Sequence, residues 1–191
     1  ERAEKLLEEV RSLSYPELDS DDIEVKTLKS RSDFFNARFS FTRFLTFRRL
    51  KTSILVNPLV FRSPISDTAL KAILAHELAH VLYYRTRNRL RLFGLVRLAH
   101  DSFEAKFERR TDLIAISRGY GNGLIEYRRW LYKNVSAKDL KAKQRNYFTP
   151  DEIDALTEVL KRDKKAFNEL FIKVPRSLAE IQECTKTAVS D

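Results

Sequence analysis

Ala75-His76-Glu77-Leu78-Ala79-His80 is the stretch on which the reading of this chain turns. It lies inside an apolar series, Leu70, Ile73, Leu74, Leu78, Val81 and Leu82, whose spacing of three and four predicts one long helix. Ser66 or Asp67 would cap that helix, and it would run to about Tyr84. Two histidines four apart on a helix project from one face, so two imidazole nitrogens can reach one zinc ion at about 2.0–2.1 Å. Glu77 stands about 100° round from His76 on the same broad face, placed to act on a water at the metal without being a ligand. The bland alternative is an amphipathic helix whose two histidines are capped or solvated.

A catalytic zinc needs a third protein ligand and an open position. The remaining histidine is His100, and the helix expected from Asp101 to about Ser117 carries Glu104, Glu108 and Asp112 at spacings of four. Like charges along one helix face repel, so the stripe calls for an opposing cation. The residues alone leave Glu104, Glu108 and His100 open as the third ligand.

His76-Glu77-Leu78-Ala79-His80 followed by Glu108-Arg109-Arg110-Thr111-Asp112 resembles the gluzincin metallopeptidases, in which HExxH supplies two ligands and a later ExxxD helix a glutamate. The resemblance implies Glu108 as third ligand. It also implies Asp112 as the carboxylate that hydrogen-bonds the other nitrogen of a ligand histidine. Ser53-Ile54-Leu55-Val56-Asn57-Pro58-Leu59 running into Leu70 to Val81 is similar to the strand-then-helix block of CAAX-prenyl-protease-like and HtpX-like peptidases. The likeness spans Ser53 to Ala115. Those enzymes carry membrane-spanning segments and this chain shows none, so their location and substrates do not transfer.

The resemblance implies an α+β, zincin-like domain over residues 1–191, with a small sheet packed on the HExxH helix and a helical C-terminal part. It implies a zinc metalloendopeptidase with one Zn2+ per chain, ligands His76, His80 and Glu108, and Glu77 as general base. Tyr120, Tyr127 and His100 are candidate donors to the oxyanion. An extended peptide or protein substrate is held most simply by adding it to a sheet edge, and Ser53 to Leu59 is the expected edge because Pro58 has no amide to donate.

The 43% hydrophobic and 33% charged composition excludes a disordered or fibrous chain. A chain this long can bury roughly 70% of its unfolded surface, so a metal is not needed merely to hold the fold. The net charge of +9 favours anionic partners. A connector with Arg85, Arg87, Arg89, Arg91 and Arg97 among leucines would suit an anionic membrane surface or acidic substrates, or equally a solvated loop whose leucines pack down. Two other classes compete with the hydrolase: a zinc-binding sensory domain without turnover, and a basic module for membrane surfaces or nucleic acid, with nucleic acid the disfavoured partner. Cys184 stands alone and offers no disulfide framework, and no run approaches the roughly 20 apolar residues of a membrane span. The start at Glu1 and the lack of methionine suggest a trimmed product, and both cytoplasmic and exported locations stay open.

Outward from the site, Ala3, Leu6, Leu7, Val10 and Leu13 predict an amphipathic helix ending before Tyr15-Pro16. β-compatible segments follow at Ile23 to Leu28, Ala37 to Phe47 and Ser53 to Asn57. Gly119-Tyr120-Gly121-Asn122-Gly123 reads as a helix stop, before a helix from Leu124 to Tyr132. Thr149-Pro150-Asp151-Glu152 starts a helix expected to reach Phe171, and Ser177 starts a short last one.

Overall fold

The computed structural model describes residues 1–30, 32–40, 51–86 and 101–187, with the side chains of 101–103 and 185–187 outside the description. The expectations placed on Phe41 to Phe47, on the connector from Arg87 onward and on His100 therefore lie outside the described residues.

The first helix, α1 (Arg2–Ser14), buries Ala3, Leu6, Leu7 and Val10 of the predicted face, leaves Leu13 of that face exposed in its last turn, and stops as the chain reaches Pro16. Tyr15 is fully buried and its hydroxyl donates to the Ala75 carbonyl at 2.7 Å, which ties this entry segment to the histidine helix. Three strands follow: β1 (Ile23–Thr27), β2 (Phe35–Phe39) and β3 (Thr52–Val56). Their order is β1-β3-β2, with β1 parallel and β2 antiparallel to β3.

That order overturns the expected edge. β3 is the central strand, burying Thr52, Ile54 and Val56, and the outer strands among the described residues are β1 and β2. Pro58 lies just past the ladder in a 3-10 turn (Pro58–Arg62), so its missing donor costs the sheet nothing. Asn57 caps that turn through the Leu59 amide, and its side-chain amide donates to Ser30 O at 2.7 Å and Asp33 O at 3.0 Å. It thereby fixes the loop that feeds β2.

The long helix α2 (Asp67–Thr86) starts at Ser66, whose hydroxyl accepts the Ala69 amide at 3.0 Å. From Ala69 to Val81 nearly every residue is buried, because α1, β2 and two later helices pack around it. The later helices are α3 (Asp101–Ser117) and α4 (Gly121–Asn134).

The glycine cluster divides its roles instead of acting as one stop. Gly119, at φ +90, closes α3 in the left-handed region. Gly121 and Gly123 belong to the first turn of α4. A Cβ on Gly123 would stand 2.5 Å from the Thr68 carbonyl oxygen and 2.7 Å from Ala72 Cβ. Glycine there lets α4 meet α2 backbone to backbone.

A helix absent from the sequence reading, α5 (Ala137–Asn146), begins where Ser136 accepts the Asp139 amide. Thr149 and Glu152 form a capping box for α6 (Pro150–Arg162). The helix expected to run on to Phe171 breaks at Asp163, whose carboxylate accepts the Lys165 and Ala166 amides and opens α7 (Lys164–Glu169). The last helix is α8 (Leu178–Thr187). One apolar cluster extends from Ala3 to Ile181, giving an α+β arrangement with the sheet against one side of α2. Among the described residues no helix is long and apolar enough to cross a membrane.

Candidate metal centre

α2 presents His76 and His80 one turn apart, and α3 crosses beside them with Glu108. His76 Nε2, His80 Nε2 and Glu108 Oε2 stand 3.1 Å from one another. These three residues lie close enough to hold one metal ion. Glu104, one turn earlier on α3, lines the adjoining cavity but is not part of the convergent cluster.

The donor set is chemically suited to a cation. Asp112 is completely buried, and its Oδ1 is 2.8 Å from His76 Nδ1. A proton on Nδ1 donated to that carboxylate leaves Nε2 as the lone pair that faces His80 and Glu108. Asp112 also accepts from Arg128 Nη2 at 2.8 and 3.1 Å and from the Phe148 amide at 3.2 Å. The cation that answers Asp112 is thus Arg128 of α4 and not Arg109 of its own helix. Arg109 instead reaches Glu152 and the Pro175 and Arg145 carbonyls, and Arg110 reaches the Phe171 carbonyl.

Protonation in the metal-free protein follows from this crowding. Burial opposes charge on His76, but the hydrogen bond and charge of Asp112, joined by Glu108, push its pKa up to about 10. Burial likewise opposes charge on Glu108, yet His80 and His76 hold its carboxyl well below the usual range. For Asp112 the same penalty is outweighed by Arg128 and His76, and its pKa is lowered.

Glu77 is 4% exposed, and its Oε2 is buried with no hydrogen-bond partner among the described residues. Burial raises its pKa, while His80 and His76 act against that rise. The carboxylate faces a cavity of about 350 Å³ whose walls include Phe35, Ala37, Tyr84, Phe107, Glu108 and Tyr147. Phe35 and Ala37 belong to β2. Asn57 N–H bonds Phe34 O and Ser40 N–H bonds Lys51 O, so the backbone groups of Phe35, Ala37 and Phe39 point away from β3, toward the outer edge. The Tyr84 hydroxyl donates to the Ala37 carbonyl at 3.4 Å.

Neither tyrosine named from the sequence borders this cavity. The Tyr120 hydroxyl pairs with Ser14 Oγ at 2.8 Å, and Tyr127 is 3% exposed, its ring against Phe35 and Trp130. Two other tyrosines line it: Tyr84, whose hydroxyl is engaged with the Ala37 carbonyl, and Tyr147, with its ring 5.9 Å from that of His76. Tyr147 sits between α5 and α6. The Ser136 cap three residues before Asp139 is the signal that would have revealed α5 and brought Tyr147 into view. Arg128 also escaped the sequence reading, since nothing in α4 marks an arginine for complete burial.

No protein-family model, curated protein or solved structure matches this chain. A functional assignment therefore rests on the centre itself.

Proposed function

We propose that the chain is a zinc-dependent peptidase of zincin-like arrangement. The observation that carries this is the 3.1 Å triangle of His76, His80 and Glu108 beside the buried, unpartnered oxygen of Glu77. His76 and His80 hold the ion through Nε2, and Glu108 through Oε2. Bound there, zinc supplies Lewis acidity that polarises a carbonyl and brings the pKa of a water to about 7. Glu77 takes the proton as water attacks and passes it to the leaving amine, a role favoured by the burial that raises its carboxyl. Tyr147, whose phenol is pushed well above its ordinary pKa chiefly by burial, stays protonated and serves as donor to the developing oxyanion. An extended peptide lies along the outer edge of β2 beside Phe35, in place of the β3 edge expected from sequence, and the Ala37 amide and carbonyl are held by Glu77 and Tyr84.

The test combines metal analysis with cleavage of an unstructured peptide library. About one zinc per chain and chelator-sensitive cleavage that Glu77→Gln abolishes support the reading. Zinc bound by a folded protein that cleaves no member of the library overturns the peptidase and leaves a metal-binding, non-hydrolytic domain.

A further inference from the structure

We infer that Arg128 is a positioning residue of the metal centre, holding the Asp112 carboxylate against His76 so that His76 Nε2 is presented to the ion. The inference rests on the zinc reading above and extends it to α4, a helix that contributes no ligand.

The side chain of Arg128 is 1% exposed and that of Asp112 is not exposed at all, so the two charges face each other without solvent. One oxygen, Asp112 Oδ1, is shared between His76 Nδ1 and Arg128 Nη2 at 2.8 Å each. The other takes Arg128 at 3.1 Å and the Phe148 amide at 3.2 Å. Turning the carboxylate away from His76 would break the contacts to Arg128 at the same time. The guanidinium is itself held over the ring of Tyr147 at 4.5 Å and near that of Tyr127 at 5.7 Å. The ring contacts hold the guanidinium in place, and Arg128 acts on the centre through Asp112.

Charge leads to the same conclusion. Asp112 and Arg128 neutralise each other as a pair, so Glu108 and Glu77 are left as the carboxylates facing a divalent ion. Without Arg128, Asp112 would be a buried anion answered by one imidazole and one amide, and nothing else would fix its direction. Outer partners of this kind typically change metal affinity about 10–100-fold when removed.

The experiment measures zinc affinity by chelator competition in the full chain, with folding checked by circular dichroism and coordination geometry read from the visible spectrum of the cobalt(II)-loaded protein. The variants are Arg128→Met, Arg128→Lys, Asp112→Asn and the double variant Asp112→Asn with Arg128→Met. Expected are a loss of about 10–100-fold for Arg128→Met with an altered cobalt spectrum, and partial recovery for Arg128→Lys. The double variant should bind no more weakly than Asp112→Asn alone, because Arg128 acts through Asp112.

Wild-type zinc affinity in folded Arg128→Met overturns the inference. So does a loss on adding Arg128→Met to Asp112→Asn as large as in the wild-type background. If the single methionine variant does not fold, the double variant, which removes both buried charges, decides. A wild-type protein that binds no zinc is a separate result and brings down the metal centre itself.

Discussion

Asp112 Oδ1 lies 2.8 Å from His76 Nδ1 across 36 residues of chain, and this contact fixes which nitrogen of His76 faces Glu108. It also sets the proton balance of the centre. With its pKa at about 10, His76 is doubly protonated in the metal-free protein at neutral pH, and that proton must leave for an ion to bind. Zinc binding at pH 7.5 is therefore expected to release about one proton, with affinity rising about tenfold per pH unit below that pKa. Calorimetry in buffers of different ionisation enthalpy measures the proton, and a release near zero would contradict the protonated state.

The same shifts set the stability of the metal-free protein. His76 is raised from 6.5 to about 10, so its contribution is complete below 6.5 and lost as pH climbs through 10. The raised carboxyl of Glu77 acts in the same direction, since the folded state binds the extra proton. Glu108 and Asp112 are lowered from 4.5 and 3.8, so their contribution is present above those values and disappears in stronger acid. Thermal melting with chelator present should show greatest stability between about pH 4.5 and 6.5 and a decline toward pH 10. A melting temperature that rises steadily from pH 6 to 10 would refute this.

The choice among acids on α3 is directly testable. Glu108→Gln removes an oxygen of the 3.1 Å triangle and should cost at least a hundredfold in zinc affinity, whereas Glu104→Gln should leave affinity within about threefold of wild type. Equilibrium dialysis distinguishes the two. Equal losses would move the third ligand away from Glu108.

Tyr147→Phe should lower kcat on the order of a hundredfold with zinc content unchanged, because it removes a cavity-lining phenol donor, while the other, Tyr84, is engaged with the Ala37 carbonyl. Tyr120→Phe should turn over normally, its hydroxyl being engaged with Ser14. Steady-state kinetics on the three proteins checks the assignment, and it fails if Tyr147→Phe is as active as wild type.

Gly123→Ala places a methyl 2.5 Å from the Thr68 carbonyl oxygen, and a backbone atom in the middle of a packed pair cannot step aside. A loss of about 1–3 kcal/mol in urea denaturation is expected. Gly121→Ala meets the Thr157 side chain, which can rotate, and should cost less.

Where a periodic element carried the information, the sequence was readable. The His76/His80 spacing, the stripe of Glu104, Glu108 and Asp112, and the apolar face of α1 from Ala3 to Val10 all follow from 3.6 residues per turn, which sets direction along one helix whatever surrounds it; Leu13 fits the same period but lies beyond the surface that covers the helix and is exposed. Pro58 misled because a missing amide says a residue is outside a ladder, and it opens the 3-10 turn just past the central strand instead of lying along an edge. The glycine cluster misled for a related reason: Gly121 and Gly123 answer to the proximity of Thr157, Thr68 and Ala72, which local pattern does not encode.

By itself, the sequence determined that two imidazoles and a carboxylate would share one helical face, and that a second helix would carry acids able to meet them. Only the tertiary structure decided that Glu108 closes the triangle, that Arg128 and not Arg109 answers Asp112, that β2 is the outer strand beside Glu77 among the described residues, and that Tyr147 lines the cavity. The physical reason is that helical geometry fixes angles within an element, while distances between elements depend on how closely their surfaces pack.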